Sequence, residues 1–341
     1  MGTVSNVSAG SKVTTTDFNT LQTEAAALLA APSGTYVDNA TSGDVQGYDG
    51  TISSSQVSFT DSIEAAQWNS LIDDLTLVHK HRKGVATLLS PELPDILTET
   101  APDGRITADR YNDLVDIHNQ NYNDRFSVHI TNVSVDTATT GTLAANWNGN
   151  NQHVFNMTFA SENDKFVFFN SGGSLRITAS ATYTGSESKS IDWKDLVENI
   201  EQVDIYANKT EYTAPDIYSG GTKLISYQGW YFLDSKPDGT PDTEVYKFLS
   251  SKDGGTPEYN ENYVRYRFRR NSNTSYSFFL DFYDIDTGDQ TGTGAPVDEN
   301  VQTIINTTVS VIYPTNASFI TATRPTFSAN GSTVGFTATY P

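Results

Sequence analysis

The sequence predicts a multi-domain α+β chain: an N-terminal helical repeat arm over residues 1–125, then a mainly antiparallel β-sandwich body over 126–341. Three observations carry this. A short motif recurs three times in the first third, apolar spacing changes from helical to alternating near Ser127, and the composition is rich in Thr, Ser, Asn, Gly and Tyr. At 341 residues the chain exceeds the usual size of one domain. Only 37% of it is hydrophobic, but 17 Phe, 18 Tyr and 4 Trp supply large surfaces to bury, as twisted sheets with wet outer faces require.

The repeat reads β-branched aliphatic, four residues, aromatic, Asn, any residue, Leu. Its copies are Val13 with Phe18, Asn19 and Leu21; Ile63 with Trp68, Asn69 and Leu71; and Ile106 with Tyr111, Asn112 and Leu114. Each opens an amphipathic helix, as in Trp68, Leu71, Ile72, Leu75 and Val78 of the second. Thr16, Ser62 and Thr107 are the candidate caps. The second helix ends in a basic run, His79 to Lys83, before Gly84; cations there complement the helix dipole and the Gly suits a left-handed turn.

Asn is a poor helix former, so its recurrence predicts a polar contact made three times. A local helix–loop hydrogen bond is one reading, and docking of each repeat on an equivalent site of a partner is the other. The connections over 32–58 and 85–105 are long and contain Tyr48-Asp49-Gly50 and Pro102-Asp103-Gly104 turns. Loops of that length favour an arm that wraps other subunits, so Phe18, Asn19, Leu21, Trp68, Asn69, Leu71, Tyr111, Asn112 and Leu114 are the candidate docking residues.

After Ser127 the period is two. Leu175, Ile177, Ala179, Ala181 and Tyr183 alternate with polar residues, as do Val264, Tyr266 and Phe268, and the run from Val301 to Tyr313. Further strands are expected over 126–135, 153–160, 165–169, 203–207, 224–233, 244–249 and 275–284, with a last pair near 318–323 and 333–340. One helix is expected over 191–199, capped by Ser190. Closure by an edge strand of another copy would suit a homo-oligomer such as a trimer.

Candidate sites in this region are three. Asp284, Asp286 and Asp289 set acidic oxygens before Gly residues, a weak calcium-loop pattern that competes with a plain acidic turn. Arg265, Arg267, Arg269 and Arg270 form a basic face suited to an anion or an acidic subunit, or else paired with neighbouring acids on a charge-protected edge strand. Tyr227, Trp230, Tyr231 and Phe232 offer rings on which a sugar could stack, against a core assignment for one set.

A net charge of −20 and a pI near 4.4 oppose nucleic-acid binding. The acidity is even: 7 basic against 17 acidic residues over 1–125, and 14 against 24 after it. Cysteine is absent, which excludes disulfides and thiolate chemistry. No signal peptide is read at Met1–Gly10 and no stretch nears the roughly 20 apolar residues of a membrane span. No nucleophile elbow, phosphate loop or His-Glu-x-x-His helix occurs, so no catalytic residue, cofactor or metal is assigned.

The helical repeat, the spacer Ser53–Val57, the segment Phe166-Val-Phe-Phe-Asn170-Ser-Gly-Gly173-Ser-Leu175-Arg-Ile177, and Val297-Asp-Glu-Asn-Val301 before a Thr-rich strand together resemble virion structural proteins of tailed bacteriophages, particularly marine and cyanobacterial ones. The resemblance covers most of the chain. The repeats match best, Phe-Asn-Ser-Gly-Gly is the sharpest short match, and 208–260 has no counterpart. It implies a particle component of tail, baseplate or fibre, assembled in the host cytoplasm and partnered by other virion proteins. A host-glycan adhesin and a capsid or neck decoration protein are the alternatives.

Overall fold

In each repeat the residue after the aliphatic position starts a helix. A computed structural model describes residues 3–33, 46–84, 106–198, 200, 202–214, 222–226, 229–234, 243–249, 262–284 and 300–334. Helix α1 (Thr15–Leu29) is capped by Thr14, which pairs reciprocally with Asp17; at the start of α2 (Ala65–Lys83) the Glu64 amide donates to Gln67 Oε1 at 2.8 Å; α3 (Ala108–Asn123) is capped by Thr107. Of the expected caps only Thr107 holds. Thr16 lies inside α1 and Ser62 two residues before the true cap, because capping goes with one repeat position: 14, 64 and 107. Gly84 ends α2 in the left-handed conformation, φ 71°, as its sequence position predicts.

The three helices pack on one another with the same polarity. Val13, Ile63 and Ile106 line one open depression of about 720 Å³ at their N-terminal end. At the other end Leu28, Leu29 and Val78 form a cluster with Leu77 and Tyr122 packed on it. Between the ends Phe18, Leu21, Ala25, Leu71, Leu75, Tyr111, Leu114 and Val115 make a closed core. Parallel neighbours cannot be joined by a tight turn. A 15-residue helix is about 22 Å long, and the described residues 46–64 cover that distance from the end of α1 back to the start of α2. That return accounts for the length of the first connection, expected to wrap partners; residues 85–105 of the second lie outside the described residues.

After a 3-10 turn (Ile130–Asn132), the chain forms two antiparallel sheets. The first runs β1 (Val133–Leu143), β10 (Ile304–Pro314), β3 (Ser174–Thr182), β4 (Gln202–Ile205), β5 (Thr210–Ala214), β6 (Thr222–Ser226). The second runs β11 (Thr326–Val334), β2 (Asn151–Thr158), β9 (Ser275–Tyr283), β8 (Tyr263–Arg270), β7 (Thr243–Leu249). Alternation puts Leu175, Ile177, Ile305, Val309 and Val311 of the first sheet and Phe155, Met157, Val264, Tyr266, Phe268, Phe278, Leu280 and Phe282 of the second into one shared core. A fully buried side chain of this size stabilises by about 1.5–3 kcal/mol.

Four elements differ from expectation. Of residues 126–135 only 133–135 are strand, and 130–132 form the 3-10 turn. Residues 165–169 belong to helix α4 (Glu162–Asn170), not a strand. Ser161 caps it through the Asp164 amide, and acidic Glu162 and Asp164 fill its first turn; a short all-apolar run has no period to oppose those signals. Residues 224–233 divide into β6 and helix α6 (Trp230–Asp234). The 318–323 stretch makes a turn that lands Ile320 in the cluster at the bundle's end. Helix α5 (Ser188–Glu198) is present, but Ser190 lies within it; its hydroxyl accepts from the Gln302 amide at 2.8 Å and its carbonyl from the Thr303 hydroxyl at 2.5 Å.

Candidate functional site

The repeated Asn is a backbone clamp. Asn19 Nδ2 donates to the Val57 carbonyl at 2.8 Å, and the Val57 amide donates to Asn19 Oδ1 at 2.7 Å. Asn112 does the same with Val7, at 2.9 and 2.8 Å. Val57 stands six residues before Ile63, and Val7 six before Val13, so each clamp holds the segment leading into another repeat. Both segments are held again three residues earlier. Gln22 Nε2 donates to the Ser54 carbonyl at 3.4 Å, while Asn119 grips both backbone polar groups of Val4 at 2.8 and 3.0 Å. From the opposite side Asp74 on α2 accepts from the amides of Ser53 and Ser54 at 2.8 and 2.9 Å.

The docking residues read from the sequence are therefore mostly internal. Phe18, Leu21, Leu71, Tyr111 and Leu114 are fully buried against each other within the chain, and Trp68 is half-buried with its ring tilted on Phe18, centroids 6.5 Å apart. Asn19 and Asn112 bind segments of this chain, the local helix–loop reading of the repeat. Asn69 differs: it is exposed, and makes no hydrogen bond among the described residues.

The helix C-termini stand on the β-rich part, so the two regions are joined by a built junction. His81 Nε2 lies 2.8 Å from the Ser171 carbonyl, which requires a proton on that nitrogen, and Asn132 Nδ2 donates to the Lys80 and His81 carbonyls at 3.2 and 3.0 Å. Asn170 Nδ2 donates to the Gly47 carbonyl at 3.0 Å, and the Tyr48 hydroxyl to the Arg125 carbonyl at 2.5 Å. Gly172, φ 91°, lets the chain pass Val128 where a Cβ would stand 2.8 Å from its side chain. The Phe-Asn-Ser-Gly-Gly segment is thus the seat of the helical bundle.

Within the basic run ending α2, His79, His81 and Arg82 are turned inward, while Lys80 is half-buried and Lys83 exposed. Arg82 is buried, donates to Asn121 Oδ1 at 2.7 Å and pairs with Asp124. Burial drives the His81 imidazole down to about 4, opposed by its bond to Ser171. Burial alone holds His153 near 4 as well; its Nδ1 lies 2.8 Å from the Thr307 hydroxyl and its Nε2 has no partner.

The arginine face is paired, on an inner strand. β8 lies between β9 and β7, so the edge-strand reading does not hold. Arg265 and Arg267 both bind Asp281, fully buried across the register on β9, and Gln152 donates to the same carboxylate at 2.6 Å. Arg270 donates to the Asp234 carbonyl at 2.7 Å, and Arg269 lies over the Phe279 ring. Asp284 is no calcium ligand: Lys189 Nζ stands 2.9 Å from it, both groups buried, where a cation would have to bind. Burial raises the Asp284 carboxyl against the bonds from Lys189, Trp193 and Gly149. Asp286 and Asp289 lie outside the described residues, and no trio of His, Cys, Asp or Glu that could hold a metal occurs among those described.

Trp230 and Tyr231 are core residues of α6. Trp230 stacks on Phe169 at 4.2 Å, and the Tyr231 hydroxyl donates to Asn170. Neither ring is open to a sugar, and Tyr227 lies outside the described residues. Sequence reasoning missed Gln22, Asp74, Asn119 and the junction residues. The signal available was the valine six residues ahead of the first two aliphatic repeat positions, Val7 and Val57. No described helix is long and apolar enough to cross a membrane. Comparison with protein families, with curated proteins and with solved structures finds no match to this chain.

Proposed function

We propose that the chain is a non-enzymatic structural component of a tailed-phage virion, of tail, baseplate or fibre, with a helical repeat arm seated on a β-sandwich body. The observation that carries the reading is the polarity of the bundle. Its C-terminal end is consumed by the body, while its N-terminal end offers the depression between three helix starts and, beside it, Phe59 on the Ser58–Asp61 turn at 77% exposure. A large apolar side chain on a turn, on a rigid support, suits insertion into a neighbouring protein. The non-enzymatic reading is supported by how the inner ionic groups are used: Lys165 pairs with Asp234 and Lys189 with Asp284, while Arg265 and Arg267 share Asp281.

Peptide mass spectrometry of gradient-purified particles tests this. The chain is expected as a regular constituent, and Phe59→Asp is expected to leave the isolated fold intact but reduce incorporation at least tenfold. A chain missing from purified particles contradicts the proposal.

A further inference from the structure

We infer that Lys165 and Asp234 condense to an intramolecular amide, with Glu162 relaying the protons, so that the chain carries a covalent tie across 69 positions. Lys165 Nζ stands 2.8 Å from Asp234 Oδ2, and the two side chains are 0% and 3% exposed. Rings wall the site. The Phe166 ring lies 4.3 Å from Nζ, and Tyr276, itself fully buried, packs edge to face on Trp230 at 4.4 Å. An ammonium and a carboxylate taken out of water lose hydration that their mutual attraction offsets only in part. A neutral amide in the same place removes both charges, and with them that cost.

The surroundings already match the product. The Tyr276 hydroxyl donates to Asp234 Oδ1 at 2.6 Å, the oxygen that stays as the amide carbonyl. Lys165 Nζ donates to the Asn273 carbonyl at 3.0 Å, a bond that the amide N–H keeps. Glu162, one helical turn before Lys165, lies 3.5 Å from Nζ and is 48% exposed, so it reaches both the amine and solvent. Charge balances before and after. Arg270 stands 3.5 Å from Asp234 Oδ1, so two cations face two carboxylates at the start, and Arg270 and Glu162 remain at the end. In the reaction Glu162 takes a proton from the Lys165 ammonium, and the freed lone pair attacks Asp234 Cγ. The tetrahedral charge falls on Oδ1, under the Tyr276 hydroxyl. A second proton leaves nitrogen as the bond from Cγ to Oδ2 breaks, and Oδ2 departs with both protons as water. One C–N bond replaces one C–O bond, nothing is oxidised or reduced, and Glu162 ends ionised as it began. Groups held in this way react with effective molarities of about 10⁵–10⁸ M, and a site closed to water disfavours the reverse hydrolysis.

The test uses the purified full chain. Intact-mass spectrometry under denaturing conditions is expected to find the main species lighter than its sequence by one water. Fragmentation of a protease digest is expected to join the peptide carrying Lys165 to the one carrying Asp234. Glu162→Gln, a change at a half-solvated position, is expected to keep the wild-type circular dichroism spectrum and the full sequence mass. Lys165→Arg, which keeps the charge and removes the nucleophile, should show the full mass as well. A wild-type chain at full sequence mass overturns the inference, whatever the variants do. So does a water lost elsewhere in the chain, or a bond that forms equally well in Glu162→Gln. None of these outcomes bears on the virion reading, which the particle experiment tests separately.

Discussion

Asn19 and Val57 satisfy each other completely: one side-chain amide takes both the N–H and the C=O of one backbone residue, at 2.7 and 2.8 Å, across 38 positions of sequence. The pair fixes where the returning connection lies against α1 and places the Val57 side chain, 3% exposed, in the helical core.

Removing that pairing leaves two backbone groups without partners. Asn19→Ala and Asn112→Ala are each expected to lower the unfolding free energy by about 2 kcal/mol, and Asn19→Asp by less, because the acceptor is kept and the donor lost. Urea denaturation measures both, with an unchanged m-value expected if the native state keeps its compactness.

Acid should weaken the junction and the β core through two imidazoles. His81 and His153 sit near 4 when folded, against about 6.5 in an unfolded chain. The folded state thus binds fewer protons between those values. The stabilisation is fully present above about pH 6.5 and declines as pH falls towards 4, by roughly 3 kcal/mol for each group. His81→Gln should flatten this fall in urea titrations run at successive pH values, with Nε2 donation to Ser171 replaced by an uncharged amide.

The close approach at the junction makes two glycines irreplaceable. Gly84, at φ 71°, would carry a Cβ 2.0 Å from the His129 ring, and Gly172, at φ 91°, one 2.8 Å from Val128. Gly84→Ala and Gly172→Ala each combine left-handed strain with overlap, so a loss of about 2–4 kcal/mol is expected. Limited proteolysis should then cut near 125–132 faster than in the wild-type chain.

Lys189 and Asp284 are both buried, so removing one leaves the other uncompensated. Lys189→Met is expected to cost about 3–5 kcal/mol, and the double change Lys189→Met with Asp284→Leu to recover most of it. Thermal unfolding of the three variants decides this; a single variant as stable as the double would refute the pairing.

The helices and most strands were legible because their periods are local properties of the sequence. Trp68 to Val78 and Leu175 to Tyr183 each declare a face. What was not legible depends on who sits across the gap. The partner of Arg265 and Arg267 could not be named because Asp281 reaches them only through the β8–β9 register, and Asp284 stayed between a weak cation pattern and an acidic turn because Lys189 comes from a helix 95 residues earlier. The Asn repeat was visible, but its meaning lay in Val57 and Val7, whose place six residues before the first two aliphatic positions shows only once the clamp is seen. Residues 165–169 and 224–233 were read as strands since a short aromatic run carries no period, and caps such as Ser161 decide the first.

The most direct measurement is a cryo-electron microscopy map of the assembled particle at side-chain resolution. The account predicts this chain in the tail, baseplate or fibre region, its bundle still closed on Phe18, Leu71 and Tyr111. It also predicts Phe59 inserted in a contact with a neighbouring protein. A particle without the chain, or one in which the bundle opens to expose those three side chains while Phe59 faces solvent, would contradict it.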